Sequence, residues 1–243
     1  GLVFRDLLLY ENPNSVISAI VEFETSVPAR CHVQYGPDGD YSLQTGVTNL
    51  STAHAITVVN MHAFSDIFLQ VVAEPEEGGQ VVSEELVFST GLLPENIPLF
   101  SVTSDFPEEV AEGLTMFGPG GGLSPHYVAV DSEGQVVWYY TLDNPQSSRF
   151  NDRAIKMLDD GNLLITTPEG FSVITIGGET VLAVRASDTD FNRLHHDAFP
   201  LPGGGFLSLS EESRMVDVDW ATDEVEVLGD IVVEFDATGQ IVS

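Results

Sequence analysis

The chain has 243 residues, of which 43% are hydrophobic, and this composition excludes an intrinsically disordered polymer. Thirty-eight acidic residues face eight basic ones, which gives a formal net charge of −30 and a pI near 4.1. Such a surface repels nucleic acid and anionic lipid, and no apolar run of about 18 residues could span a membrane. The acidic residues are scattered, which favours a role in solubility; a high-salt setting or a cation-collecting surface are the alternatives.

Short β-rich segments separated by turns occupy the first third of the chain. They carry Val, Ile, Thr and Phe, and no helical period persists among them. This pattern predicts a β-sandwich domain over residues 1–93. The order of segments resembles a fibronectin type III-like domain, which implies a spacer or docking module. The segments are Val16–Phe23, Cys31–Tyr35, Thr52–Val59, Ile67–Ala73 and Val81–Phe88.

Cys31 is the only cysteine, so no intrachain disulfide can form. Its position in a predicted strand indicates a buried structural thiol. The adjacent His32 would point to the opposite face of that strand and could not act as a base for the thiol. We predict that His54 and His62 are likewise surface or strand histidines without a special role.

Two prolines, Pro94 and Pro98, break the strand pattern and mark a domain boundary. We assign residues 94–125 to a linker that leads into the second domain and contains a flexible glycine loop at 118–122. From residue 126 two hairpin motifs alternate, each with glycine in its turn. The first motif occupies residues 127–138, 172–182 and 231–242, and the second occupies residues 154–165 and 198–209.

The second motif recurs after 43 residues, measured from Leu158 to Leu201. Four strands in about 40–50 residues are typical of a β-propeller blade. Residues 126–243 have room for two blades and the start of a third, whereas closed propellers need about four to eight. An open stack would expose strand edges. We therefore predict an all-β chain with an incomplete propeller, and expect it to be part of a longer polypeptide.

One segment concentrates groups that could carry chemistry: Arg193-Leu194-His195-His196-Asp197. In a propeller, the start of a blade's inner strand faces the central channel, so the two imidazoles would lie at the channel mouth. Asp197 could orient a histidine by accepting a hydrogen bond from its Nδ1–H. The alternatives are a surface turn without a role, or half of a metal site. Adjacent histidines in an extended strand should diverge, which argues against the metal.

The His195-His196-Asp197 segment and the hairpin after it resemble the arylsulfotransferase family of PAPS-independent aryl-sulfate sulfotransferases. The hairpin at 129–138 resembles that family's repeats, and the resemblance covers roughly residues 95–243. It implies sulfuryl transfer from an aryl sulfate to a phenol through a sulfated histidine, with no nucleotide donor, redox cofactor or metal. On this resemblance His196 and His195 contact the sulfuryl group or the phenol, and Arg214 holds the anion. The family's nucleophile is expected in a later blade, so His196 is not assigned as the sulfated residue.

Two hypotheses from different classes follow. The first is an arylsulfotransferase-like enzyme that acts on a small phenolic or aryl sulfate substrate. The alternative is a non-catalytic secreted or surface propeller that serves as a binding or scaffolding module. A third hypothesis is an acidic matrix that assembles with divalent ions. Each implies an extracytoplasmic location, periplasmic, secreted or at the cell surface, without nucleic acid or a membrane span, and each leaves a homo-oligomer open.

Overall fold

The computed structural model describes residues 1–103, 109–119, 125–142, 154–220 and 223–242. These residues form seventeen β-strands and one short 3-10 helix, Ala186–Asp188, and contain no α-helix, which confirms the predicted all-β class. No helix in the described ranges is long and apolar enough to cross a membrane. Backbone contacts divide the chain into two compact units. Unit 1 is Gly1–Met116 with Val128–Thr141, and unit 2 is Phe117–Tyr127 with Leu142–Ser243.

The first seven strands are organised around one long strand, β2. Its first part pairs with β1 and β4, and its second part pairs with β3 and β5. Strands β6 and β7 both pair with β5. The strands are β1 (Phe4–Asn12), β2 (Ser15–Pro37), β3 (Leu43–Gln44), β4 (Ser51–Val58), β5 (Asp66–Pro75), β6 (Val81–Val82) and β7 (Leu86–Ser89).

Strand β2 contains two of the predicted segments, Val16–Phe23 and Cys31–Tyr35, in one uninterrupted strand. Pro28 lies between them, where the pairing with β4 shifts register between Glu24 and Ala29. A proline cannot donate a ladder hydrogen bond, so a register shift is a position where a strand tolerates it. The strand thereby passes from one group of partners to the other instead of turning back. Strand β1 was not predicted from the sequence.

Both parts of β2 contribute to one buried cluster. Val21 and Phe23 come from the first part and Val33 and Tyr35 from the second, and all four are less than 5% exposed. From Ser15 to Tyr35 every second residue except Val27 is buried, because side chains alternate between the two faces of a sheet. Buried residues of β4 and β5 complete this core.

Cys31 is fully buried in this core, which confirms the prediction of a structural thiol. Its Sγ lies 3.6 Å from Nε2 of His54, which is not a surface residue but is buried and stacked on Phe23 at 4.9 Å. Burial, with a smaller contribution from the charge of Glu74, raises the pKa of Cys31 to about 11. Burial lowers the pKa of His54, although its hydrogen bond to the Ser51 carbonyl opposes that shift. Thiol and imidazole are therefore both neutral at pH 7.

We expect Cys31 to resist alkylation in the folded protein. A neutral, enclosed thiol is a poor nucleophile, so modification requires unfolding. Iodoacetamide at pH 8, followed by intact mass, should leave the native chain unmodified and should modify it once in concentrated urea. Rapid stoichiometric modification of the native chain would contradict this account.

The remaining ten strands form three sheets, with the orders β10-β9-β8, β11-β12-β13-β14 and β15-β16-β17. Neighbours in the last two sheets are antiparallel and consecutive in sequence. The strands are β8 (Thr115–Phe117), β9 (His126–Val130), β10 (Val136–Thr141), β11 (Ile155–Met157), β12 (Leu163–Thr167), β13 (Gly170–Ile174), β14 (Thr180–Arg185), β15 (Leu194–Pro200), β16 (Phe206–Val216) and β17 (Val225–Phe235). Of the predicted glycine loop at 118–122, residues 120–122 lie outside the described residues.

Five turns within the described residues share one hydrogen-bonding pattern. In each, the amide of the first residue donates to the carbonyl of the fifth, and a glycine at the fourth position donates back to the carbonyl of the first. These glycines have φ between +81° and +99°, the left-handed conformation that a three-residue hairpin loop requires. The predicted hairpin motifs are therefore present. The turns span residues 131–135, 158–162, 175–179, 201–205 and 236–240.

Asp131 stabilises the first of these turns through its carboxylate. Its Oδ1 accepts hydrogen bonds from the amides of Glu133 and Gln135 at 2.9 Å, and its Oδ2 lies 2.8 Å from Nε2 of His62. Burial alone would raise the pKa of Asp131, but the hydrogen bonds from His62, Gln135 and Glu133 outweigh it and lower that pKa. The ionised carboxylate therefore stabilises the folded state.

Replacing Asp131 with asparagine should lower the free energy of unfolding by about 1 kcal/mol at pH 7, the typical size of one net hydrogen bond. The folded pKa lies below the unfolded value of about 3.9, so this contribution is complete above about pH 5 and is lost as the pH falls through the folded pKa. Urea unfolding at pH 7, 5 and 3 measures it. Asp159→Asn, at an exposed position of the turn 158–162, is the matched control. A difference between Asp131→Asn and wild type that did not shrink at pH 3 would contradict the prediction.

The two sheets β11-β12-β13-β14 and β15-β16-β17 share a core in unit 2. Phe171 of β13 contacts Phe206 and Phe235, with ring centroids 5.4 Å apart in both pairs. Leu194 and Ala198 of β15 belong to the same buried cluster. This packing fixes both ends of the segment that carries His195 and His196.

The hairpin β16–β17 is longer than its counterpart β12–β13. Gly134 and Gly178 are 44 residues apart and Gly161 and Gly204 are 43 apart, but Gly178 and Gly239 are 61 apart. The difference arises within the hairpin, because β12–β13 runs from residue 163 to 174 whereas β16–β17 runs from residue 206 to 235. The paired strands continue outward through residues 211–216 and 225–230, which we call the arm.

Candidate functional site

A β-bulge in β15 carries the two adjacent histidines. Leu194 pairs with Ser210 and His195 with Leu209, but the next pair is Ala198 with Ser208. His196 and Asp197 are thus extra residues between two registered pairs of the β15–β16 ladder. His196 has φ +61°, a left-handed conformation that histidine adopts more readily than most residues do. Bulges of this kind redirect a side chain and often lie beside active sites.

The bulge brings the two imidazoles into contact. Nδ1 of His195 lies 2.5 Å from Nδ1 of His196, and the ring planes meet at 74° with centroids 4.7 Å apart. The prediction that adjacent histidines diverge is therefore wrong here, because the left-handed residue interrupts the alternation of an extended strand. A hydrogen bond between two imidazole nitrogens needs one donor and one acceptor. When both rings are neutral, they share a single proton between their Nδ1 atoms.

The two rings differ in exposure. His195 is 7% exposed, whereas His196 is exposed to solvent. Nε2 of His195 is buried and has no hydrogen-bond partner among the described residues, and Oδ1 of Asp230 lies 3.6 Å from it. His195 therefore lies on the interior side of His196, and His196 is the ring that a small molecule can reach.

Asp197 does not orient either ring, contrary to the role predicted from the sequence. Its carboxylate forms an ion pair with Nζ of Lys156 on β11, and its carbonyl accepts a hydrogen bond from the Ser208 hydroxyl at 3.2 Å. These contacts hold the bulge between two sheets. The sequence gives no spacing that links Lys156 to the histidines, because the pair joins neighbouring sheets. The one sequence feature that could have drawn attention to Lys156 is the scarcity of basic residues, of which the chain has eight.

Arg214 lies on the arm, where it pairs across the hairpin with Val227. It is exposed and forms an ion pair with Glu212. Leu209 shares a face of the sheet with His195, and Arg214 is five residues further along β16. That separation corresponds to roughly 17 Å and places Arg214 on the opposite face. The structure thus brings His195 and His196 together and leaves Arg214 apart from them.

Arg214 is one of the residues around a shallow pocket on its own face of the arm. The others are Glu212, Val216, Val227, Gly229, Ile231 and Asp230, the last of which is also the carboxylate nearest to Nε2 of His195. Elsewhere, over the ranges that the structure describes, no three His, Cys, Asp or Glu side chains are grouped as they would be around a metal ion. The contacting histidine pair is therefore the chemically distinctive feature of the described part of unit 2.

Residues 101–243, more than half of the chain, match the family model described as Arylsulfotransferase (ASST). The chain belongs to the arylsulfotransferase family. The matched region includes β8 to β17 and hence the bulge with His195 and His196. Membership confirms the resemblance drawn from the sequence and supports an aryl-sulfotransferase type of function, with aryl sulfates as substrates. A comparison with curated proteins finds no match.

Proposed function

We propose that this arylsulfotransferase-family chain transfers a sulfuryl group from an aryl sulfate to a phenolic acceptor, and that His196 and His195 are its reactive pair. The observation that carries the proposal is the contact between two imidazoles in a β-bulge, with one ring exposed and the other buried beneath it. A left-handed backbone conformation costs free energy for a histidine, and a surface turn without a role would not need to hold His196 in it against a second ring.

The reaction exchanges one sulfur–oxygen bond for another. The bond between sulfur and the donor's aryl oxygen breaks, a bond from sulfur to the acceptor oxygen forms, and one proton passes from the acceptor phenol to the departing phenolate. No atom changes oxidation state, so neither a redox partner nor a nucleotide is required. An imidazole can remove the acceptor's proton and return it to the leaving oxygen. It can also carry the sulfuryl group between the two phenols.

The net charge of −30 opposes the approach of an anionic substrate, so positive charge near the site is needed to attract it. We keep Arg214 as a candidate for holding the anion, as the sequence predicted. Arg214→Ala in the assay below decides its part.

We also propose an architecture for the chain. Residues 1–93 form a fibronectin III-like sandwich, residues 94–125 a linker and residues 126–243 an incomplete propeller. The two groups of partners on β2 support the sandwich, and the four-stranded meander β11–β14 with its repeated turns supports the blades. An extracytoplasmic location remains part of this proposal.

The test combines 4-nitrophenyl sulfate with a phenol acceptor. It uses the 243-residue chain and, in parallel, the longest natural polypeptide that contains it. We expect 4-nitrophenolate release that depends on the acceptor, together with the acceptor's sulfate ester by mass spectrometry. A transient gain of one SO₃ on the protein would identify a covalent route. Absence of turnover in both folded proteins would overturn the enzyme proposal and favour the binding or scaffolding module.

A further inference from the structure

We propose that Lys156 is a substrate-binding residue whose ammonium holds a sulfuryl oxygen of the aryl sulfate beside His196, and that Asp197 competes with the substrate for this ammonium. The inference rests on the proposed function for its substrate class. It concerns the only lysine of the chain, to which the resemblance to the family gives no role. Its basis is the ion pair between Lys156 on β11 and Asp197 in the bulge of β15.

Lys156 lies on the face of β11 that is directed at the bulge. It pairs with Leu164 of β12, and residues that face each other on paired strands project to the same side of a sheet. Leu164 is 1% exposed and belongs to the core that the two sheets share, together with Leu194 and Ala198 on either side of the bulge. The methylene stem of the lysine therefore starts over apolar surface, and its ammonium extends to the more polar edge, as long cationic side chains commonly do.

The ammonium is held within one residue of the exposed imidazole. Asp197, its ion-pair partner, follows His196 directly in the chain, and consecutive Cα atoms are about 3.8 Å apart. Both side chains of the ion pair are partly accessible, 27% for Lys156 and 48% for Asp197. A small anion that reaches the ring of His196 therefore meets this ammonium as well.

The other described cations of unit 2 are placed differently. Arg185 is paired with a glutamate in the β12–β13 turn, and Arg214 lies on the opposite face of β16 from His195. Arg193 precedes the bulge in the chain and is tested beside Lys156 below. Lys156 forms its ion pair with the bulge itself. It therefore supplies positive charge where the substrate's sulfate would approach His196.

The ion pair lets one ammonium serve either of two anions. A carboxylate and a sulfate ester both offer oxygens to an ammonium, and lysine is a compact charge on a flexible stem that can change partner. Asp230, whose Oδ1 lies 3.6 Å from Nε2 of His195, adds a second carboxylate near the bulge. Removing the Asp197 carboxylate should therefore free the ammonium and strengthen anion binding. An ion pair that only held the bulge in place would respond in the opposite sense, because the loss of either partner would loosen the site.

Binding of benzenesulfonate tests this site without turnover, because its sulfur is bonded to carbon and cannot be transferred. In the chain labelled with ¹³C-lysine, the single ε-carbon signal belongs to Lys156 and should shift saturably on titration. Calorimetry measures Kd in the variants. We expect binding about 10–100-fold weaker in Lys156→Gln, the usual value of a hydrogen bond to a charged group. Asp197→Asn should bind about 2–5-fold more tightly, as expected for the loss of a competing, partly exposed ion pair.

Arg185→Gln and Glu169→Gln are the matched controls, since they make the same charge changes in another partly exposed ion pair of unit 2. We expect both to keep the wild-type Kd, and Arg193→Gln to bind more tightly than Lys156→Gln. The wild-type titration and Asp197→Asn test the inference even if Lys156→Gln does not fold.

An unshifted lysine signal in the wild type, an unchanged Kd in folded Lys156→Gln, or weaker binding by Asp197→Asn would each overturn the inference. The binding result and the transfer assay fail separately. Lysine-dependent binding without any transfer from 4-nitrophenyl sulfate would refute the proposed function and keep the anion site. Transfer by Lys156→Gln with an unchanged KM would refute the role of Lys156 and keep the function.

Discussion

Replacing His196 with asparagine is expected to lower kcat/KM for sulfuryl transfer by about 10²–10⁴-fold, the usual contribution of a general acid or base. His196 is the exposed member of the pair, so it is the ring that meets the substrate. Asparagine tolerates the left-handed conformation at φ +61°, and the variant therefore removes the imidazole without adding backbone strain. Initial rates of 4-nitrophenolate release measure the effect.

The control for this variant is His62→Asn, which removes an imidazole that contacts Asp131 in unit 1. We expect it to keep wild-type kcat/KM. Thermal unfolding should show that His196→Asn stays folded, with a free energy of unfolding lower by about 1–3 kcal/mol because Nδ1 of the buried His195 loses its partner. Unchanged kcat/KM in a folded His196→Asn would remove His196 from the reaction.

Replacing Gly205 with alanine should destabilise unit 2 much more than the same change at Gly203. Both glycines lie in the turn 201–205 and have nearly the same φ, +89° and +87°. A Cβ on Gly203 would meet nothing within 4 Å, whereas a Cβ on Gly205 would lie 2.6 Å from the carbonyl oxygen of Phe235. The pair therefore separates the cost of left-handed backbone from the cost of a steric clash.

We expect Gly203→Ala to lower the free energy of unfolding by about 1–2 kcal/mol, the cost of the left-handed conformation alone. Gly205→Ala should lower it by a further 1–3 kcal/mol or so, because β16 and β17 must separate at their paired ends, Phe206 and Phe235. Urea unfolding of both variants tests this. Equal destabilisation would show that the hairpin end accommodates a methyl group and that the close approach is not a constraint.

Sequence reasoning predicted the hairpins because their chemistry is local. The turns at Gly134, Gly161 and Gly239 each combine a glycine of positive φ with a turn-forming Asp or Asn nearby in the sequence. It missed β1 and divided β2, because pairing with two different groups of partners keeps that strand continuous through Pro28. It identified the family through residues close together in the chain. Arg214 was chosen on the same basis, and the alternation of faces along β16 sets it apart from His195.

The sequence by itself determined the all-β class, the repeated turns, the buried thiol of Cys31 and the family, because each depends on neighbouring residues or on a regular spacing. Only the tertiary structure decided which groups meet at the histidines. The bulge appears when β15 is paired with β16, the ion pair of Asp197 with Lys156 joins two sheets, and Asp230 reaches His195 across three strands. These contacts link residues that are distant in the chain. They form because of strand register and burial, which depend on several segments together and are not encoded in any single one.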